Sequence, residues 1–118
     1  MDIDAIRRLV RPWAGVTEDV KWGADLVFSV DGRMFCAIAA DAKGAAGLGY
    51  KVDAHDFLAL TGQPGITPAP YLARAHWIRL EDGRALPAAA VRAGLRRSYE
   101  LVAMKLSRKR QRELGLIA

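Results

Sequence analysis

At 118 residues, with 52% hydrophobic and 26% charged side chains, the chain can bury one core without staples and has a globular composition, which excludes disordered and fibrous classes. No apolar run approaches the ~18–20 residues of a membrane helix, and the opening Met1-Asp2-Ile3-Asp4 is acidic where a signal peptide is basic, so the expected location is cytoplasmic. The net charge of +5 is unevenly held: residues 1–91 carry ten Lys/Arg against eleven Asp/Glu and residues 92–118 eight against two, an asymmetry that favours an anionic partner.

Asp2 is placed to cap a first helix whose apolar residues Ile3, Ile6, Val10 and Trp13 step by three, four and three. Pro12 and Gly15 end it. Arg7, Arg8 and Arg11 lie off the apolar line and are expected in water. A short strand over 16–22 leads, through Gly23, to the strongest local signal in the chain. Two β-rich runs, 25–30 and 33–39, flank the dipeptide Asp31-Gly32, which suits a two-residue hairpin turn. An unbroken register would set Val30 opposite Arg33, Phe28 opposite Phe35 and Leu26 opposite Ala37. One face would then hold Leu26, Phe28, Val30, Phe35 and Ala37, and the other Val27, Met34, Cys36 and Ile38. Both faces are apolar, so the hairpin belongs inside a sheet. Cys36, the only cysteine, permits no internal disulfide and reads as a buried, inert thiol.

Residues 41–47 read as a loop of small residues without side chains for chemistry. A strand over 48–52 follows, and then a short helix capped by Asp53 and closed by Gly62. The segment 63–70 holds three prolines, which predicts a stiff irregular loop without ladder bonding. It leads to Tyr71 and a strand around 76–80. Pro87 opens the last long helix, with an apolar stripe Ala88, Val91, Leu95, Tyr99, Val102, Leu106. Ser107 can cap a final short helix rich in arginine. The order α-β-β-β-β-α-β-α predicts a single-domain α+β sandwich over 1–118: a twisted antiparallel sheet with helices mainly on one face.

The order and spacing of four motifs resemble the MmcQ/YjbR family of small bacterial proteins. They are Gly15-Val-Thr-Glu-Asp-Val-Lys-Trp-Gly23, Val30-Asp-Gly-Arg-Met-Phe35, Pro64-Gly-Ile-Thr-Pro-Ala-Pro-Tyr71 followed by His76-Trp77, and Ser98-Tyr-Glu-Leu-Val102. The resemblance implies a frataxin-like (CyaY-like) fold and a role in DNA binding through hairpin wings and basic surface. Frataxin-like proteins bind iron through an acidic ridge on the first helix. Arg7, Arg8 and Arg11 replace that ridge here, which argues against iron donation.

No catalytic constellation is legible, so the reading is non-enzymatic and without a cofactor. His55, His76 and Cys36 have no partner at ligand spacing, and no metal is expected. The pairs Glu18-Asp19 and Glu81-Asp82 sit at strand ends or turns, where acids are solvated. Neither a nucleophile elbow nor a phosphate-binding glycine loop occurs. Two sets of residues remain. The first, Trp22, Tyr71, His76 and Trp77, held by the proline-rich loop, is a candidate pocket for a small ligand or a protein partner. The second is basic: Arg92, Arg96, Arg97, Lys105, Arg108, Lys109, Arg110 and Arg112 within 92–112, with Arg33 at the hairpin tip. Its richness in arginine suits phosphate contacts. The function expected first is therefore largely sequence-tolerant DNA binding by a monomer through Arg92, Arg96, Arg97, Lys105, Arg108, Lys109, Arg110 and Arg33. The alternative is a ligand or interaction module built on residues 64–77.

Overall fold

In the computed structural model, which describes residues 1–118, the chain runs α1 (Ile3–Val10), β1 (Val16–Lys21), β2 (Asp25–Val30), β3 (Arg33–Ala39), β4 (Leu48–Lys51), α2 (Ala54–Thr61), β5 (Ile66–Pro68), a 3-10 turn (Ala73–Ala75), β6 (Trp77–Leu80), α3 (Ala88–Ala103) and α4 (Arg108–Glu113). The strands form one six-stranded antiparallel sheet in the order β1-β2-β3-β4-β6-β5. This is the α+β architecture expected from the sequence, with the Asp31-Gly32 hairpin inside the sheet. No helix is long and apolar enough to cross a membrane.

The hairpin departs from the expected register. Val30 faces Arg33 and Ser29 faces Met34, but Phe28 then pairs with Cys36, Val27 with Ala37 and Leu26 with Ile38. Phe35 is the additional residue of a β-bulge, which bends the strand and shifts every later partner by one. In consequence Phe35 and Cys36 both enter the main core, together with Ile38, while Ala37 turns to the opposite face. A second departure concerns the proline-rich segment. Ile66–Pro68 does bond to β6, with Pro68 opposite Ile78. This is possible because β5 is the outermost strand, where a missing N–H leaves no ladder partner wanting.

α1 and α3 cover one face of the sheet. Ile6 and Val10 from α1 join Val91, Leu95, Tyr99 and Val102 from α3 in a single core cluster. Ala88 is exposed, so the buried stripe of α3 begins at Val91. Asp2 caps α1, accepting from the Ala5 amide at 2.8 Å. Tyr99 donates its hydroxyl to the Ala14 carbonyl at 2.6 Å and meets Trp13 and Phe35 with ring centroids 5.2 and 5.5 Å apart. The turn after α1 is thereby fastened to α3 and to the bulge.

The approach of α3 to the sheet depends on two small residues one turn apart. A Cβ on Gly94 would stand 2.8 Å from the Tyr50 ring, so the helix backbone lies directly on β4. Ser98, fully buried, donates its hydroxyl to the Phe35 carbonyl at 2.6 Å and accepts from the Lys51 amide at 3.0 Å. The β3–β4 ladder pairs Cys36 with Tyr50 and Ala37 with Gly49, so Phe35 and Lys51 are the next residues in register. The bulge has parted them, and the serine hydroxyl fills the gap between donor and acceptor.

An alanine in a helix interior is normally favoured over glycine by about 1 kcal/mol. At Gly94 the buried Tyr50 ring has nowhere to retreat, and overpacking of about 1–3 kcal/mol should outweigh that gain. Gly94→Ala is therefore expected to lower the thermal midpoint, as measured by circular dichroism. A raised midpoint would contradict the close approach of α3.

Candidate functional site

With the helices gathered on one side, the other face of the sheet is left open. The bulge and the two-residue alternation of the strands decide what it shows: Ala37 from β3, Gly49 from β4, and Trp77 with Arg79 from β6. Over this face, whose floor is small at Ala37 and Gly49, lies a groove of about 870 Å³. Loop 41–47 borders it at one end and residues 69–72 at the other. Trp22, in the β1–β2 turn, and Tyr71, after the proline-rich segment, stand at its rims.

Three of the four residues expected to form a pocket do meet there. Trp77 is 4% exposed and forms part of the wall; Trp22 is 68% exposed and Tyr71 is fully exposed. Both rim aromatics adopt left-handed backbone conformations, with φ of 52° and 64°, which bulky residues rarely adopt. His76 is not part of the groove. It ends the 3-10 turn in a left-handed conformation, with φ 62° and ψ 39°, and its ring packs against Phe57 of α2 at 5.6 Å. The backbone kink just before β6 sends His76 and Trp77 in different directions.

Among the groove residues that the sequence pattern does not single out are its two cations, Arg79 and Lys43. Arg79 is visible in hindsight as i+2 from Trp77 on one strand, and so on the same face. Its guanidinium donates no hydrogen bond; its nearest partner is Glu81, 3.3 Å away, and Nε is buried without an acceptor. Lys43 comes from loop 41–47, which is not merely a connector of small residues but walls the groove.

The basic set is divided by its partners. Arg97 makes a two-pronged pair with Asp53, both contacts at 2.9 Å. Asp53 therefore does not cap α2 with its side chain, although it occupies the capping position. Arg96 lies over Trp13 and Tyr99, 5.1 and 4.9 Å from the ring centroids, and pairs with Glu100. Arg110 grips Asp31 at the hairpin tip at 2.6 and 3.1 Å, and also holds Glu113 at 2.6 Å. Arg92, Lys105, Arg108, Lys109, Arg112 and Arg33 are exposed and form no ion pair. Of these, Arg108, Lys109 and Arg112 belong to α4, which Arg110 fastens to the tip that carries Arg33. Arg7 on α1 and Arg11 at its C-terminal cap are not simply solvated as expected, since both pair with Glu18 of β1.

Cys36 is fully buried, and burial pushes its thiol well above the ordinary range, which makes it inert. The ligand atoms of Asp53, His55 and Asp56 lie within 4.8 Å of one another, but both Asp53 oxygens are taken by Arg97.

A family model described as YjbR matches residues 13–101. The chain belongs to the YjbR family. Its fold is similar to the crystal structure of Deinococcus radiodurans protein DR2400, which has the DUF419 domain, with a TM-score of 0.85 and 28% identity over 97% of this chain and 88% of that one. No curated protein matches it. The YjbR match spans every groove residue named above and most of α3, whereas α4 lies beyond it.

The two-pronged pairs carry a pH signature. A hydrogen bond from Arg110 holds the Asp31 carboxyl below its usual range, and Arg97 does the same for Asp53. A carboxylate depressed in the folded state stabilises it above the unfolded pKa, and this contribution is lost as pH falls through the folded value. Asp31→Asn keeps a good turn residue but removes the charge. The thermal midpoint of the variant should lie below that of the parent at neutral pH, and the gap should narrow as pH drops below about 4. A gap that stays constant down to about pH 2 would show that the pair contributes nothing.

Proposed function

We propose that this protein is a monomeric, non-enzymatic DNA-binding module that contacts the phosphate backbone with little regard for sequence. The observation that carries this reading is the corner formed by α4 and the hairpin tip. Arg110 holds the acids of that corner, Asp31 and Glu113, while Arg33, Arg108, Lys109 and Arg112 form no ion pair. Five cations against two anions leave a local excess of three, free to displace counterions from a duplex. Arg92 on α3 and Lys105 just after it are further exposed cations that form no ion pair. Arg96, Arg97 and Arg110 are better regarded as joints than as contacts, because stripping them from their partners would cost interactions that the fold already uses.

Phosphate contacts give affinity and register without reading bases. α4 does begin Arg108-Lys109-Arg110-Gln111-Arg112, but Arg110 is held by Asp31 and Glu113 and the Gln111 amide donates to the Met104 and Leu106 carbonyls, so its Gln and central Arg are not free for base discrimination. Four neutralised phosphates give an expected slope of about −3.6 for log K against log salt, with affinity on the order of 10⁻⁴–10⁻⁶ M at physiological salt.

Fluorescence anisotropy of a labelled duplex at low salt tests this. Replacing Arg108, Lys109 and Arg112 together by Gln should weaken binding to all sequences alike and flatten the slope by roughly 0.9 per lost contact. Arg97→Gln should act mainly on thermal stability. Absence of binding at low salt, or a triple variant that binds like the parent, would refute the reading.

A further inference from the structure

The groove on the open sheet face lies apart from the basic corner, and its chemistry is different. We propose that it is a binding site for a small planar aromatic monocarboxylate, with the ring held among Trp22, Tyr71 and Trp77 and the carboxylate on the Arg79 guanidinium. Four observations converge on this ligand. The volume, about 870 Å³, falls within the range of about 300–1,000 Å³ typical of small-molecule sites. The floor is made of residues as small as Ala37 and Gly49, so a flat body can lie against the sheet without displacing side chains.

The rims are aromatic and strained. Trp22 and Tyr71 hold left-handed backbone conformations, each costing on the order of 1–3 kcal/mol, and in return place two large apolar rings in water. A fold gains nothing from such rings in isolation. Both line a groove whose wall includes Trp77, and three aromatic side chains in one groove suit a planar guest that stacks on them. That geometry also disfavours a peptide strand as occupant, since the groove crosses a sheet face and offers no free ladder edge.

Arg79 supplies the polar specification. Its guanidinium makes no hydrogen bond within the protein, and the single ion pair at 3.3 Å to Glu81 leaves the fork of donors unused. The terminal Nη2 stands 3.7 Å from the position a Cβ on Gly47 would take, at the groove wall, so a glycine there keeps the approach clear. A planar fork of N–H donors matches a carboxylate two-to-two. The charged lining side chains are Lys43 and Arg79 against Asp25 and Glu81, two of each sign. With no net positive charge in the lining to hold a dianion, the proposed anion is a monoanion met by the Arg79 fork, a carboxylate and not a phosphate.

Titration of the full chain with 2-naphthoate, followed by tryptophan fluorescence and by calorimetry, tests the proposal. Two of the three tryptophans line the groove and the third, Trp13, packs on the other side of the sheet. The result expected is saturable one-site binding that is weakened about tenfold or more in Arg79→Gln and with the neutral 2-naphthamide, from loss of charge-assisted hydrogen bonds. Trp22→Ala should also weaken binding, at unchanged thermal midpoint, because this ring is mostly exposed. Triple replacement of Arg108, Lys109 and Arg112 should leave naphthoate binding unaltered, whatever it does to DNA. No saturable binding at millimolar naphthoate, equal binding of the amide, indifference to Arg79→Gln, or tighter binding of 2-naphthyl phosphate than of naphthoate would each overturn the assignment.

Discussion

Between the Phe35 carbonyl and the Lys51 amide stands the hydroxyl of Ser98, and much of this architecture follows from its position. A bulge at Phe35 brings two consecutive side chains, Phe35 and Cys36, into the core, but it parts β3 from β4 and strands one donor and one acceptor. An unmade hydrogen bond in a buried ladder costs about 1–3 kcal/mol per group. Ser98 supplies both missing partners from α3, and it reaches them because Gly94, one turn earlier, lets the helix rest on Tyr50. Sheet curvature, helix approach and hydrogen-bond closure are thus one linked solution. The cost falls on the other face: with the helices drawn to one side, the floor over Ala37 and Gly49 has no helix to cover it, and a groove results.

Charge is divided between joints and free surface. The pairs Arg97–Asp53 and Arg110–Asp31 each join an element near the C-terminus to a turn elsewhere in the fold, 44 and 79 residues away in sequence. Such exposed pairs contribute little to stability individually, but their two-pronged geometry fixes orientation. Arg110 sets α4 beside the hairpin tip, and in doing so gathers the unpaired cations of α4 with Arg33. The structural arginines therefore create the surface that the free ones present.

Much of this was legible in the residues. The Asp31-Gly32 turn, the stripe from Val91 to Val102 and the caps at Asp2 and Ser107 are local patterns that form as the sequence suggests, whereas the cap at Asp53 yields to a distant arginine. Trp22, Tyr71 and Trp77, grouped with His76 from the sequence, line one groove, whereas His76 lies outside it. What failed was non-local. Nothing near Phe35 announces a bulge; the side chain that satisfies the carbonyl left there is a serine 63 residues away. Pro68 was read as a ladder breaker because edge and interior strands look alike until the strand order is known. The charge of Arg97 was countable, but its partner Asp53 could be found only in space. Arg79, a lone arginine on a strand, has no distinguishing neighbours in sequence, although the period of two from Trp77 puts it on the groove face.

The serine bridge is the central claim, and native-state hydrogen exchange of the Lys51 amide tests it most directly. If Ser98 accepts from this amide inside the sheet, Lys51 should exchange as slowly as the ladder amides of β3 and β4, and Ser98→Ala should accelerate Lys51 beyond the general loss of stability shared by those neighbours. A Lys51 amide that exchanges rapidly in the parent protein, or one whose protection relative to its neighbours is unchanged in the variant, would contradict the account.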